Sequence, residues 1–178
     1  NTIPAVDYTA YGVLVNHLGV CDGYSTAYLL LMSRLGIPTV KVNGNNHSWN
    51  MVQLDKKWYH VDATWDDPIM VGEDQQPTGE NKLRYDYFLL PDGAIAAETK
   101  NHSTWSLGSF LLNGINSSPI ANSNDFLSVS WYSLSQEQIH ALQIPVIASV
   151  KLDTTTTYKG KVGRKYTFLA TSNVGEYI

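Results

Sequence analysis

The chain predicts an α+β fold, one helix packed on an antiparallel sheet and followed by a further β segment, from three observations. Apolar residues Ala27, Tyr28, Leu31, Met32 and Leu35 recur at three- and four-residue intervals after Tyr24, the signature of a helix face turned to a core. Three strand-like runs follow within 25 residues, separated by turn residues. Three more such runs close the chain beyond Pro145.

The helix opens at Gly19-Val20-Cys21-Asp22-Gly23-Tyr24 and is stopped by Gly36 and Pro38. It carries the only cysteine. At a helix start, unpaired backbone N–H groups and the positive end of the helix dipole favour an anion, so a thiolate is stabilised there. The alternative for a lone cysteine is a small buried hydrophobe. Asp22 reads as a helix-start acid. Residues 1 to 18 hold Tyr8, Tyr11, Val13, Leu14 and Leu18 and accommodate a helical turn or two.

Thr39-Val40-Lys41-Val42 is the first strand, closed by a turn over Asn43-Gly44-Asn45-Asn46. The second runs from His47 to Leu54, and the third over Lys57-Trp58-Tyr59-His60-Val61-Asp62. If Asp55-Lys56 is a two-residue hairpin loop, Leu54 faces Lys57, Gln53 faces Trp58 and Trp49 faces Asp62. His47, Trp49, Met51 and Gln53 then share a face with Trp58, His60 and Asp62, and His47 lies diagonal to Asp62. A slip of one residue would put them on opposite faces. Asp66-Asp67-Pro68 ends the strands. Asp66, Asp67, Glu73 and Asp74 match no calcium loop of fixed ligand order and read as a solvated acidic loop. Tyr85 to Leu90 reads as a strand and Pro91-Asp92-Gly93 as a turn. Ser135 and Gln138 cap a short helix through His140 and Leu142. Val146 to Val150, Tyr158 to Val162 and Tyr166 to Ala170 read as strands separated by Thr-rich and Gly-containing turns.

Cys21, His47 and Asp62 supply a thiol, an imidazole to take and return its proton, and a carboxylate to orient the imidazole. His60 reads as a structural histidine beside Trp58. His17, His102 and His140 lack partners at ligand spacing, so no metal and no other cofactor is expected. Trp49, Trp58 and Trp65 read as core or pocket walls around the thiol.

These residues also resemble the bacterial transglutaminase-like superfamily. The likeness rests on Gly19-Val20-Cys21-Asp22-Gly23-Tyr24, Leu35-Gly36-Ile37-Pro38, Gly44 with His47-Ser48-Trp49-Asn50, and Trp58-Tyr59-His60-Val61-Asp62-Ala63-Thr64-Trp65-Asp66-Asp67-Pro68. It continues through Tyr85-Asp86-Tyr87-Phe88-Leu89-Leu90 to His102-Ser103-Thr104-Trp105. It implies a papain-like α+β fold with Cys21 as nucleophile, His47 as base and acid, and Asp62 as orienting carboxylate; Trp49, Trp65 and Tyr11 are the candidates for substrate binding. The activity implied is acyl transfer on protein or peptide amides through a thioester, ending in hydrolysis or in cross-linking to an amine. The backbone N–H of Cys21 is the expected oxyanion donor, with Tyr8 or Tyr11 as candidates for a second. The domain division that follows is 1–105 for a transglutaminase-like domain short of a helix before the cysteine segment, 106–146 for an extension or linker, and 147–178 for part of a bacterial immunoglobulin-like β module.

Composition narrows the partners. The 178 residues are 43% hydrophobic and only 16% charged, with a net charge of −4. That describes a folded chain with no basic field for nucleic acid. No apolar run is long enough to cross a membrane as a helix. Low charge and a Ser/Thr/Asn-rich second half point to an extracellular or cell-surface protein, which the resemblance implies is bacterial, and its substrate would be a protein or a cell-wall peptide. The competing reading is a surface adhesion or scaffold module that keeps the three residues but works by binding.

Overall fold

The computed structural model describes residues 3–69, 83–98, 100–108, 114–135, 138, 146–158 and 161–171. The chain forms two compact units, Asn1–Tyr132 and Ser133–Ile178.

In the first unit, helix α1 spans Cys21–Arg34 and the strands are β1 (Thr39–Gly44), β2 (His47–Leu54), β3 (Lys57–Val61), β4 (Phe88–Leu90) and β5 (Ser106–Leu107). They form one antiparallel sheet in the order β4-β3-β2-β1-β5. A 3-10 turn at Ala5–Tyr8 and a π-helical turn at Gly12–Asn16 precede α1. The helix ends because Gly36 adopts φ 71° and the Ile37 N–H reaches back to the Met32 carbonyl at 2.9 Å, a left-handed C-terminal cap.

The hairpin register is the one the pattern predicts: Gln53 pairs with Trp58 and Leu54 with Lys57. Asp55 and Lys56 both take positive φ, the requirement of a two-residue type I′ turn. Asn45 and Asn46 do the same between β1 and β2, so β1 runs on to Gly44 where a four-residue turn was expected. Asparagine tolerates the left-handed region well enough for two residues to reverse the chain.

The two faces of the sheet differ in chemistry. On one, Val40, Val42, Trp49 and Met51 join Ile95 and Ala121 in the apolar core, with Trp58, Trp105 and Leu107 packed against it. The other lies under α1 and sets polar groups among buried Val52 and Val61. Asn50 donates to the Ser25 carbonyl at 3.0 Å, and Lys41, only 7% exposed, bonds Asp22 and Thr26 of the helix. Gly23, Ser25, Ala27 and Leu29 are the buried residues of α1, a set different from the single stripe expected. The helix has two covered sides, the sheet on one and the N-terminal turns on the other.

Gly23 shows how close those turns come. A Cβ there would lie 2.5 Å from the Asp7 carbonyl oxygen and 3.1 Å from that of Thr9. Helix propensity alone favours alanine over glycine by up to about 1 kcal/mol. Backbone atoms cannot yield as a flexible side chain does, so the clash wins. Gly23→Ala is expected to cost about 1–3 kcal/mol and lower the melting temperature by several degrees in thermal denaturation followed by circular dichroism.

Three expectations change. Pro91-Asp92-Gly93 is not an isolated turn but leads into helix α2, Asp92–Glu98, because Ala94, Ile95, Ala96 and Ala97 propagate what Asp92 starts. Asp66 is buried and Asp67 accepts the Tyr24 hydroxyl at 2.5 Å, so these two acids are structural and not solvated, while Glu73 and Asp74 lie outside the described residues. In the second unit two strands, β6 (Val146–Tyr158) and β7 (Lys161–Thr171), pair antiparallel where three shorter ones were expected. The run Thr154 to Thr157 continues β6, since β-branched residues suit an extended backbone. Ser135 and Gln138 exchange the reciprocal bonds of a capping box, at 2.7 and 3.2 Å, and the helix expected beyond them lies outside the described residues.

Candidate active site

Helix α1 begins at Cys21 itself. Its N-cap, Val20, has no side-chain oxygen to satisfy the first N–H groups, and the backbone N–H groups of Asp22 and Ser48 are directed at the thiol. The sulfur thus stands where the helix start meets the first residues of β2.

His47 is the first residue of β2. Its Nε2 lies 2.5 Å from Asp62 Oδ2, and its ring is hydrogen-bonded to the Cys21 thiol. Because Nε2 is committed to Asp62, Nδ1 is the nitrogen left for sulfur. Asp62 follows β3 directly. A shift in the β3–β4 ladder between His60 and Val61 lets the chain leave the sheet there, and Asp62 N–H is then caught by the Tyr87 carbonyl at 3.0 Å. The carboxylate accepts four hydrogen bonds: the N–H groups of Thr64 (3.0 Å) and Trp65 (3.2 Å) at Oδ1, and two imidazoles at Oδ2.

The second imidazole belongs to His102, on the 3-10 turn Lys100–His102, whose Nε2 is 2.8 Å from Oδ2. The spacing argument gave His102 no partner, and the structure corrects this. It sits 40 residues from Asp62 in sequence, beyond the reach of any local period. The one sign of it in the chain was its place in His102-Ser103-Thr104-Trp105.

Electrostatics follow from this network. The Cys21 thiol is held below its ordinary value, chiefly by the hydrogen bond to His47 and then by the imidazolium charge and the two backbone N–H groups, against burial. Burial pulls His47 down, but Asp62 and Cys21 outweigh it and raise the imidazole to about 9. Burial pushes Asp62 up, and the His102, His47 and Trp65 hydrogen bonds hold it below the usual carboxylate range. Both shifts favour the charged forms, so thiol and imidazole are drawn toward a thiolate–imidazolium pair. Asp66, behind Asp62, is pushed up to about 7, first by burial and then by the charges of Asp62 and Asp86.

Of the other singled-out residues, Trp49 is 1% exposed and lies behind the imidazole, ring centroids 5.8 Å apart and nearly parallel. Its indole N–H bonds His60 Nδ1 at 2.9 Å, and His60 Nε2 bonds Asp92 at 2.9 Å, so His60 ties the core to α2. Trp65 is half-buried with its ring 5.7 Å from that of His47. Tyr11 is 59% exposed on the N-terminal segment. Asp22, read as a helix-start acid, is ion-paired to Lys41. Tyr8, Thr9, Asp22, Lys41 and Asn43 line a groove of about 330 Å³ beginning at the residue next to Cys21.

Among the described residues, His47, Asp62 and His102 also bring one ligand atom each within 4.8 Å of the others. Two of the separations, 2.5 and 2.8 Å, are hydrogen-bond lengths to one shared oxygen. Ligand atoms around a tetrahedral zinc stand about 3.3 Å apart. The arrangement fits protons between the atoms better than a cation among them.

A thiol-bearing helix start packed on an antiparallel sheet that carries an imidazole and a carboxylate is the papain-like arrangement. Residues 1–63 match the family model described as the transglutaminase-like superfamily, and Cys21, His47 and Asp62 all fall inside the match. The helix and antiparallel sheet of this part of the chain are consistent with the papain-like fold of that superfamily, whose members are usually enzymes, cysteine peptidases or transferases. No curated protein matches the chain.

Proposed function

We propose that the chain is a thiol-dependent acyl-transfer enzyme acting on protein or peptide amides. The observation that carries the reading is the continuous link from the Cys21 thiol through the His47 ring to Asp62 Oδ2. The thiol proton passes to His47 Nδ1 and the thiolate attacks the amide carbonyl carbon. The carbonyl π pair moves to oxygen, where backbone N–H at the start of α1, that of Cys21 first, receives the negative charge. Collapse re-forms the C=O bond and breaks the C–N bond, and the Nδ1 proton leaves with the amine, giving a thioester. Water or a second amine then gives its proton to Nδ1, attacks the thioester and expels the thiolate.

The groove that begins at Asp22 offers an extended peptide the polar groups of Thr9, Lys41 and Asn43 for its backbone. An extracellular or cell-surface setting, with a protein or cell-wall peptide as substrate, belongs to the same proposal. Incubating the protein with glutamine-containing peptides, with and without a primary amine, and reading masses settles the second half-reaction. Gain of one amine minus ammonia is expected for a transferase, and cleavage or deamidation for a hydrolase. Unchanged masses in both arms, across a peptide library, would end the proposal.

A further inference from the structure

We propose that His102 is a positioning residue of this site: by donating its Nε2–H to the Asp62 oxygen that also takes His47, it fixes the carboxylate and limits how tightly that carboxylate holds the His47 imidazolium. The inference rests on the acyl-transfer reading above.

An ionised carboxylate only accepts, so both imidazoles that reach Oδ2 must present N–H to it. His102 and Asp62 are both fully buried. The His102 ring lies edge-on to Trp49, with centroids 4.8 Å apart, and near Trp65 and Tyr87 at 5.1 and 5.3 Å. An aromatic side chain would fill that space as well. What the imidazole adds is the bond to Asp62.

The surrounding backbone delivers the ring. Asn45, in the turn before His47, donates to Ser103 Oγ at 2.9 Å, and Gly44 clears the way, since a Cβ there would fall 2.0 Å from the Thr104 carbonyl oxygen. His47 and His102 thus approach the same oxygen from two segments that are tied to each other.

Sharing an acceptor divides its charge. With two donors on Oδ2 each bond is weaker than one alone would be, and the Asp62 charge felt by His47 is smaller. The ionisable groups around His47 are the Cys21 thiol from α1, Asp62 and behind it Asp66 from the turn after β3, His102 from its 3-10 turn, and His60 of β3, which faces His102. Loss of His102 leaves the others in place.

The test is the rate of Cys21 alkylation by iodoacetate across pH, which needs no substrate. The anionic reagent reacts with the thiolate–imidazolium pair and is repelled once the imidazolium is gone, so the profile is a bell whose alkaline limb reports His47. His102→Phe keeps the volume and removes the donor. Its alkaline limb is expected to move up by about half to one pH unit. His102→Gln, whose amide N–H can reach Oδ2, is expected to return most of that shift. A histidine needed only for packing would lower the amount of reactive protein without moving the limb.

A wild-type limb in folded His102→Phe, while His47→Ala still abolishes the bell, overturns the inference and leaves the acyl-transfer reading standing. An unchanged bell in His47→Ala overturns both. Should His102→Phe fail to fold, proton NMR of the unmodified protein decides. Two low-field imidazole N–H signals are expected, one of which survives in His47→Ala, and a single signal lost in that variant overturns the inference.

Discussion

Cys21→Ser is expected to reduce turnover of a peptide amide by at least about 10³-fold, and His47→Ala by a similar factor. The reason is nucleophile and base acting as a unit. A serine hydroxyl at this place is far less acidic than the thiol, so the helix start and the imidazolium that suffice to hold a thiolate do not suffice for an alkoxide. Removing His47 takes away the largest contribution to the lowered thiol value, so the sulfur reverts toward an ordinary cysteine. The double variant should be little worse than either single one. The check is a continuous assay of amine release beside iodoacetamide labelling at neutral pH. Rapid labelling that survives His47→Ala would contradict the linkage.

Asp62→Asn carries the second largest expected effect, a loss of about 10²–10⁴ in turnover with the fold retained. The amide oxygen can still accept the Thr64 and Trp65 N–H groups that hold this turn. It cannot supply the charge. If the amide nitrogen faces His47, it donates to Nε2, forces the proton onto Nδ1 and leaves the ring unable to receive the thiol proton. The pH dependence gives the sign. In the wild type, activity rises through the lowered thiol transition and falls as the pH passes about 9, where the His47 imidazolium is lost. Without the carboxylate, burial pulls the imidazole down against Cys21 alone, so the alkaline limb should move toward acid from about 9. A profile that keeps its upper limb near pH 9 would show that Asp62 does not set it.

The parts of this site that sequence makes legible are those held by local rules. Helix α1 announces itself by its periodicity and by Gly36, and the β2–β3 register follows from one two-residue turn and the alternation of side chains. Those two elements suffice to bring His47 and Asp62 onto one face. The parts that escape notice are set by distant or polar contacts. His102 arrives after a helix, α2, whose Pro-Asp-Gly entrance imitates a simple turn. Asp66 looks like one more acid in a loop, and only the fold buries it against the Tyr87 N–H. The sequence places Lys41 only in the strand run Thr39-Val40-Lys41-Val42, and the fold sets it beneath α1. Residues 106–146 read as an extension or linker, and within them lie β5, the Asp125 partner of Lys57, and Trp131 beside Phe88.

That polar underside of α1 bears on how the sulfur keeps its address. Greasy layers let a helix creep by fractions of an ångström, because any neighbouring hollow serves as well as the last. Asn50 clasping the Ser25 carbonyl, and Lys41 clasping Asp22 and Thr26, permit one seating only. Cys21 is therefore indexed to the strand that bears His47 much as a key is indexed to its lock pins, and slippage there would cost whole bonds at once.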